Sequence, residues 1–487
     1  MTHQLSCGIV PSLWVLGMVL TLSSPAQGQA PGSSAGATIY VSADAGSGGN
    51  GSQGRPFASL SQAESASAAG DTIYLLASDS GMVLDGGIAL KPRQKLLGIG
   101  ADGALLEDAA DRVGLTNTAA LPGGVMVELS DHNEVAGIHF MNMGNAAISG
   151  ASTDYSGTFI HHSTFSGNAA EHIEDERGLV YAISFDAASG SVDGIRVEDS
   201  SFYDGQDLGA IRVFQSGDSR GNYRFQRNDF SDLGGRAYFV RTRESSRVET
   251  VILDSTADNI GRGERNSDSI IPYLMGQSEQ VMLVRNYHFK NTKQEGNRSN
   301  TGIEAFMFGV PRTDEANFCT HCKLTLKILD SVIESSVTDP IQFSNSGRNS
   351  ELSYEIRNTR IVGGDPQQGG GGISLNLQSV RDSGGSTKLL VENTDVIGTT
   401  GYGFALNNRG GGEGHSVIVD LGGGALGSRG GNRFIDNEQG AMRVPHNRIT
   451  AQHNWWDGGN PTVFNSENQP SADAHVLVEP VLRADPR

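Results

Sequence analysis

The chain has 487 residues, a formal net charge of −19, and 65 glycines against 15 prolines. That charge excludes a nucleic-acid partner, whose phosphates it would repel. It also excludes a diffuse electrostatic grip on an anionic polysaccharide, unless basic residues are gathered locally. So much glycine disfavours a helix-rich fold and points to many turns.

Residues 1–30 read as an export signal. Residues 13–22 form an apolar run of about ten residues, suited to a signal core and too short to span a bilayer. Small residues follow, with Ala26 and Ala30 as cleavage positions. Cys7 precedes the apolar run, where a lipid-anchored cysteine would not sit. No second apolar stretch is long enough to anchor the chain. The expectation is a secreted or periplasmic monomer with no membrane span.

Next comes the strand Thr38-Ile39-Tyr40-Val41, then a Gly-rich loop and Arg55-Pro56-Phe57. Residues 59–69 carry the sequence's sole helical pattern, and Gly70-Asp71-Thr72-Ile73-Tyr74-Leu75 follows. This order resembles the N-terminal segment of right-handed parallel β-helix proteins of the pectate-lyase-like superfamily. The resemblance implies an all-β solenoid whose first coil is covered by a cap, and the strand series laid out below counts roughly ten coils. It leaves activity open, because that superfamily includes lyases, hydrolases, epimerases, adhesins and spacers. Residues 31–124 are read as cap and first coils, and 125–487 as the solenoid with its closing coil.

The repeat itself is a short alternating strand ending in Asn or Asp. It reads Ile195-Arg196-Val197-Glu198-Asp199 in one copy and Met282-Leu283-Val284-Arg285-Asn286 in another. Further copies end at Asp330, Asn358 and Asn393, with looser ones at His162, Asn228 and Asp254. One strand type recurring every 26 to 44 residues or so is a solenoid signature. The Asn and Asp are expected to stack as a structural ladder, bonding neighbouring backbone groups.

Toward the end, Asn454-Trp455-Trp456 resembles a closing coil in which the tryptophans cover the last core layer. In Cys319-Thr320-His321-Cys322 a loop-closing disulfide between Cys319 and Cys322 is the expected state outside the cytoplasm. A metal site would need two further ligands, and His321 supplies at most one.

Function has to come from an outward-facing side of a sheet. A second strand series runs through Ile183, Ile211, Phe239, Ile303 and Phe343. Its alternation predicts Ile183, Phe185, Ile211, Val213, Phe239, Ile303 and Phe343 inside, and two rows outside. One row contains Ser184, Arg212, Tyr238, Ile271, Glu304, Gln342 and Ser374; the next contains Asp186, Phe214, Val240, Tyr273, Phe306, Ser344 and Asn376. Phe214, Tyr238, Tyr273 and Phe306 then form a stacking track for a sugar chain, with Asp186, Arg212 and Glu304 beside it. The competing reading is a satellite apolar core beneath long loops.

Asp186 and Glu304 lie about four coils or roughly 19 Å apart, too far for a hydrolytic pair, which needs about 10 Å or less. Asn266-Ser267-Asp268 is similar to one acidic motif of polygalacturonase-type hydrolases, but the accompanying motifs are absent. β-Elimination beside a uronate needs an acid/base and cations on the carboxylate. Arg212 with Tyr238 is the predicted acid/base pair, with Arg241 and Arg243 on the carboxylate and Arg262 and Arg265 nearby. Glu171, Glu174, Asp175 and Glu176 form a candidate calcium cluster, against the plainer reading of a solvated acidic loop. A polysaccharide lyase therefore leads, ahead of a glycoside hydrolase and of a non-catalytic adhesin or spacer.

Overall fold

A strand that ends where the chain must turn needs a residue tolerant of left-handed backbone, and the recurring Asn and Asp supply it. In the computed structural model Asp199, Asp254, Asn286, Asp330, Asn358 and Asn393 all have φ of 51–52°. The described residues are 36–487 except 119–123, 152–154, 170–178, 262–266, 292–300, 308–317, 336, 367–369, 379–383, 410–413, 445–447, 458 and 466–475. The export signal, the acidic cluster Glu171, Glu174, Asp175 and Glu176, and Arg262 and Arg265 lie outside them.

Among the described residues the strands form three parallel sheets of fifteen, thirteen and twelve members. A single coil shows the order. Ser191–Glu198 belongs to the first sheet, Ser201–Gly205 to the third and Leu208–Gln215 to the second. The chain then returns to the first sheet at Arg220–Gln226. The fold is a parallel β-helix, right-handed as such crossovers nearly always are. The strands Thr38–Val41 and Thr72–Leu76, read from sequence in the N-terminal segment, are the first two of the first sheet, and Lys95–Ile99 is the third.

The turn residues form two ladders. On the outside, Asn286 Nδ2 donates to Asp254 Oδ1 at 2.9 Å, Asn358 to Asp330 at 2.9 Å and Asn393 to Asn358 at 2.7 Å. The following residue points inward and satisfies backbone. Ser200 N donates to Asn228 Oδ1 at 3.2 Å, and Asn228 Nδ2 donates to Val197 O at 2.9 Å. Asn228 is therefore an inner-ladder residue, and Arg227 occupies the left-handed position at φ 52°. Its guanidinium bonds Asp199, which makes the outer link an ion pair there.

The core is one apolar cluster running along the axis. Phe140, Phe165, Phe202 and Phe230 stack coil on coil with centroids 4.9, 4.6 and 5.0 Å apart. These distances match the strand spacing, so each ring fills its own layer. At one end the helix Leu60–Ala66, N-capped by Ser59, buries Leu60 and Ala63. At the other, Trp456 stacks on Phe434 at 4.6 Å and is 5% exposed. Cys319 and Cys322 form a disulfide, and both are buried. Among the described residues no helix is long and apolar enough to cross a membrane.

One charged cluster ties three successive strands early in the first sheet together. Glu134 accepts from His161 Nε2 at 3.3 Å and pairs with Lys95 Nζ at 2.7 Å. The bond from His161, then that from Lys95, holds the Glu134 carboxyl at about 2 against burial, which opposes them. A lowered folded-state value stabilises the fold above the unfolded value near 4.5 and is lost as pH falls toward 2. Glu134→Gln is expected to remove about 1–2 kcal/mol at neutral pH, once solvent screening is allowed for. Chemical unfolding at pH 7 and pH 3 checks this: the gap between wild type and variant should shrink at the lower pH.

Candidate functional site

The register of the second sheet decides which side chains share its outer face. Leu208–Gln215 pairs with Tyr238–Thr242 so that Ile211 opposes Tyr238, Arg212 opposes Phe239, Val213 opposes Val240 and Phe214 opposes Arg241. Tyr238 thus continues an inward row. It is fully buried in the core, between the rings of Phe225 and Phe230, and its hydroxyl donates to Ser255 Oγ at 3.4 Å. Burial pushes its phenol well above the ordinary range. This corrects the sequence assignment of Tyr238 to the outer face, and with it the Arg212–Tyr238 acid/base pair. Phe239, expected inside, faces out, and Val240, expected outside, faces in. A one-residue change of phase exchanges every side chain between faces, and two adjacent aromatics leave the phase undecided in sequence.

With the phase corrected, the two outer rows differ in character. In the first, Arg212 leads to Phe239 and Ile271. Phe239 and Ile271 join Leu179 and Tyr181 in a small apolar cluster separate from the core, all 6% exposed or less. Arg236, 1% exposed, closes this cluster: its guanidinium lies 4.4 Å from the Phe239 ring centroid and Nη1 donates to Tyr181 Oη at 2.8 Å. Gly209 makes room for it, because a Cβ there would fall 2.6 Å from the Tyr181 ring. The satellite-core reading therefore holds for this row.

The second row runs in unbroken register through Asp186, Phe214, Arg241, Tyr273, Phe306, Ser344, Asn376 and Asn407. Phe214, Arg241, Tyr273 and Phe306 are all half-buried, with part of each side chain open to solvent. Arg241 lies 5.1 Å from the Phe214 centroid and 5.7 Å from that of Tyr273. Arg243 sits 6.0 Å from Phe214. Tyr273 and Phe306 stack at 5.2 Å with their planes 6° apart. Arginine and ring faces alternate here as a cation–π staircase.

At one end of this strip Arg212 is held by a carboxylate. Its Nη2 donates to both oxygens of Asp186 at 2.8 Å, and its Nε to Ser184 Oγ at 3.1 Å. Ser184 donates in turn to Asp186 at 2.8 Å. At the other end Glu304 accepts from Gln342 Nε2 at 3.1 Å. The strands bearing Asp186 and Glu304 are four steps apart in the sheet, so the two carboxylates form no hydrolytic pair. Among the described residues no group of three His, Cys, Asp or Glu is placed to hold a metal ion.

Sequence reading missed Tyr181, Phe239 and Arg236 as one unit. The available signal was Gly209 opposite Tyr181, a glycine inside a strand where a ring approaches.

No protein-family model matches this sequence, and no curated protein matches it. Solved structures do. A GH136 lacto-N-biosidase from Eubacterium ramulus aligns at 11% identity and TM-score 0.44, covering 78% of this chain and 67% of that one. A GH87 α-1,3-glucanase catalytic domain in complex with nigerose aligns at 10% identity and TM-score 0.43, covering 94% and 70%. The A-module of a mannuronan C-5 epimerase from Azotobacter vinelandii aligns at 12% identity and TM-score 0.32, covering 80% and 93%. The likeness is one of fold.

Proposed function

We propose that this chain is an exported protein that binds a carboxylate-bearing polysaccharide along the outer face of the second sheet and cleaves it by β-elimination. The observation that carries this is the second outer row. In a chain of net charge −19, Arg241 and Arg243 gather round the half-buried rings of Phe214 and Tyr273 on one strip. Ring faces stack on sugars, and guanidinium groups take carboxylates in bidentate fashion.

In the elimination a base removes the proton on the carbon next to the carboxylate. That electron pair forms the new carbon–carbon double bond, and the glycosidic oxygen leaves with a proton. Arg241 and Arg243 neutralise the carboxylate and so acidify the carbon. Tyr273, next to Arg241 in the row, serves as both base and acid in place of the buried Tyr238: its ionised oxygen takes the proton from the carbon and passes it to the leaving glycosidic oxygen. Arg212, neutralised by Asp186, orients the strip and does not act as base.

The test is a screen of acidic polysaccharides on purified protein, following ultraviolet absorbance of the unsaturated product and new reducing ends in parallel. Both signals together support the reading. Reducing ends without absorbance would establish hydrolysis instead. Silence in both, with retained binding, would make the chain a non-catalytic binder on the same face.

A further inference from the structure

The third sheet carries, near its N-terminal end, a group of reactive side chains that the arginine strip on the second sheet does not use. The strands Val113–Thr116, Ile138–Met143, Thr164–Asn168 and Ser201–Gly205 are consecutive members of that sheet. Phe140, Phe165 and Phe202 point into the core, so alternation turns His139, Met141, Ser166 and Tyr203 outward. Register sets Ser166 between Met141 and Tyr203. Across the two coils His139 Nε2 and Ser166 Oγ lie 2.7 Å apart. The Tyr203 ring stands beyond them, its centroid 6.1 Å from that of His139. Among the described residues no carboxylate bonds His139, so serine and histidine form a dyad.

His139 and Met141 also line a cleft of about 520 Å³, whose walls include Arg112, Met82, Val83 and Leu106. Met82 is 55% exposed and Val83 39%, two of the three large apolar side chains that the described residues leave open. Gly114 keeps the floor clear, because a Cβ there would fall 2.9 Å from Met141 Cε and 3.2 Å from Val83 Cγ2. An apolar cleft beside a convergent polar pair has the form of a small-ligand site. Arg112 is anchored at it. Its Nη1 donates to Thr164 Oγ1 and its Nη2 to Glu107 O at 2.7 Å, while Nε is buried with no hydrogen-bond partner among the described residues. Asp111 lines the cleft as well, so the two charges offset and a neutral ligand fits better than an anion. Burial, then the Arg112 charge, pushes the His139 imidazole below its ordinary range. The ring is therefore neutral at neutral pH and able to accept a proton.

We propose that Ser166 and His139 are a nucleophile and base that hydrolyse a short-chain carboxylic ester seated in this cleft. Ser166 Oγ adds to the ester carbonyl carbon as its proton passes to His139 Nε2. The bond from that carbon to the alkoxy oxygen then breaks, and the alcohol leaves with the proton. Water repeats the sequence on the acyl-serine, which releases the carboxylic acid and restores both side chains. Arg112 supplies positive charge for the carbonyl oxygen as it becomes anionic. Met82, Val83, Leu106 and Met141 hold the acyl chain.

The test uses the full chain with p-nitrophenyl acetate and butyrate. Diisopropyl fluorophosphate is applied in parallel, and the modified residue is located by peptide mass spectrometry. The expected result is steady release of nitrophenol and modification at Ser166. Ser166→Ala should lose the modification and at least about 10³-fold in rate. His139→Gln should lower the rate by about 10²–10⁴-fold. Ser231→Ala, in the same outer row one strand past Tyr203, should stay within about twofold of wild type. Unchanged melting confirms the fold of each variant, and the wild-type modification is decisive even where a variant misfolds. No release above the buffer rate, release that survives in Ser166→Ala, or a reagent that leaves Ser166 unmodified overturns the inference.

Discussion

Tyr238→Ala is expected to lower the unfolding free energy by about 3–5 kcal/mol, the cost of emptying a large aromatic site in a packed core. The ring is wholly enclosed, touching Phe225 at 5.3 Å and Phe230 at 4.8 Å between centroids, and belongs to the axial cluster. Tyr238→Phe removes the hydroxyl's bonds with Ser255 and Asn228, of which the Ser255 bond is long, so its cost should stay near 1 kcal/mol. Neither effect is catalytic. Chemical unfolding of the two variants, with cleavage measured on folded Tyr238→Phe, checks the assignment. Activity lost by Tyr238→Phe at wild-type stability would return this residue to the site and overturn the register.

The second large effect belongs to the outer row. Arg241→Ala should weaken binding of an acidic glycan by about thirtyfold, the size of a central arginine contact of about 2 kcal/mol. It lies between the Phe214 and Tyr273 rings, so the loss includes the stacking it organises. Tyr273→Phe should keep that affinity and lower the rate of product absorbance by about 10²–10⁴-fold, as expected of a lost proton-transfer group. The ring and its stack on Phe306 remain in the Phe variant, which separates chemistry from packing. A parallel fall in binding would instead assign Tyr273 a structural role. Unchanged cleavage would remove it from the mechanism.

Much of the architecture was legible because its causes are local. Alternation of apolar residues writes the strands, and a recurring Asn or Asp writes each left-handed turn, as at Asp330 and Asn358. Arg227 was not legible as a turn residue, since nothing local favours arginine at positive φ. Its ion pair with Asp199, one coil away, helps hold it there. The outer face was half legible for the same kind of reason. Phe214, Tyr273 and Phe306 each stand next to aliphatic or small inward residues, so their side was readable. Tyr238 and Phe239 stand next to each other, and only the register with the preceding strand, as in the pairing of Val213 with Val240, fixes which one faces the axial core. Nothing local marks Arg236 as buried; its guanidinium donates to the Tyr181 hydroxyl, 55 residues away in sequence. The Glu134–His161 pair likewise joins residues that only adjacent coils bring together.

Hydrogen–deuterium exchange in the presence and absence of a saturating acidic hexamer tests the central claim most directly. The account predicts slowed exchange in the strands Leu208–Gln215, Tyr238–Thr242, Ile270–Leu274 and Ile303–Met307, and little change in the first and third sheets. Protection confined to another sheet, with the second sheet unchanged under confirmed binding, would contradict it.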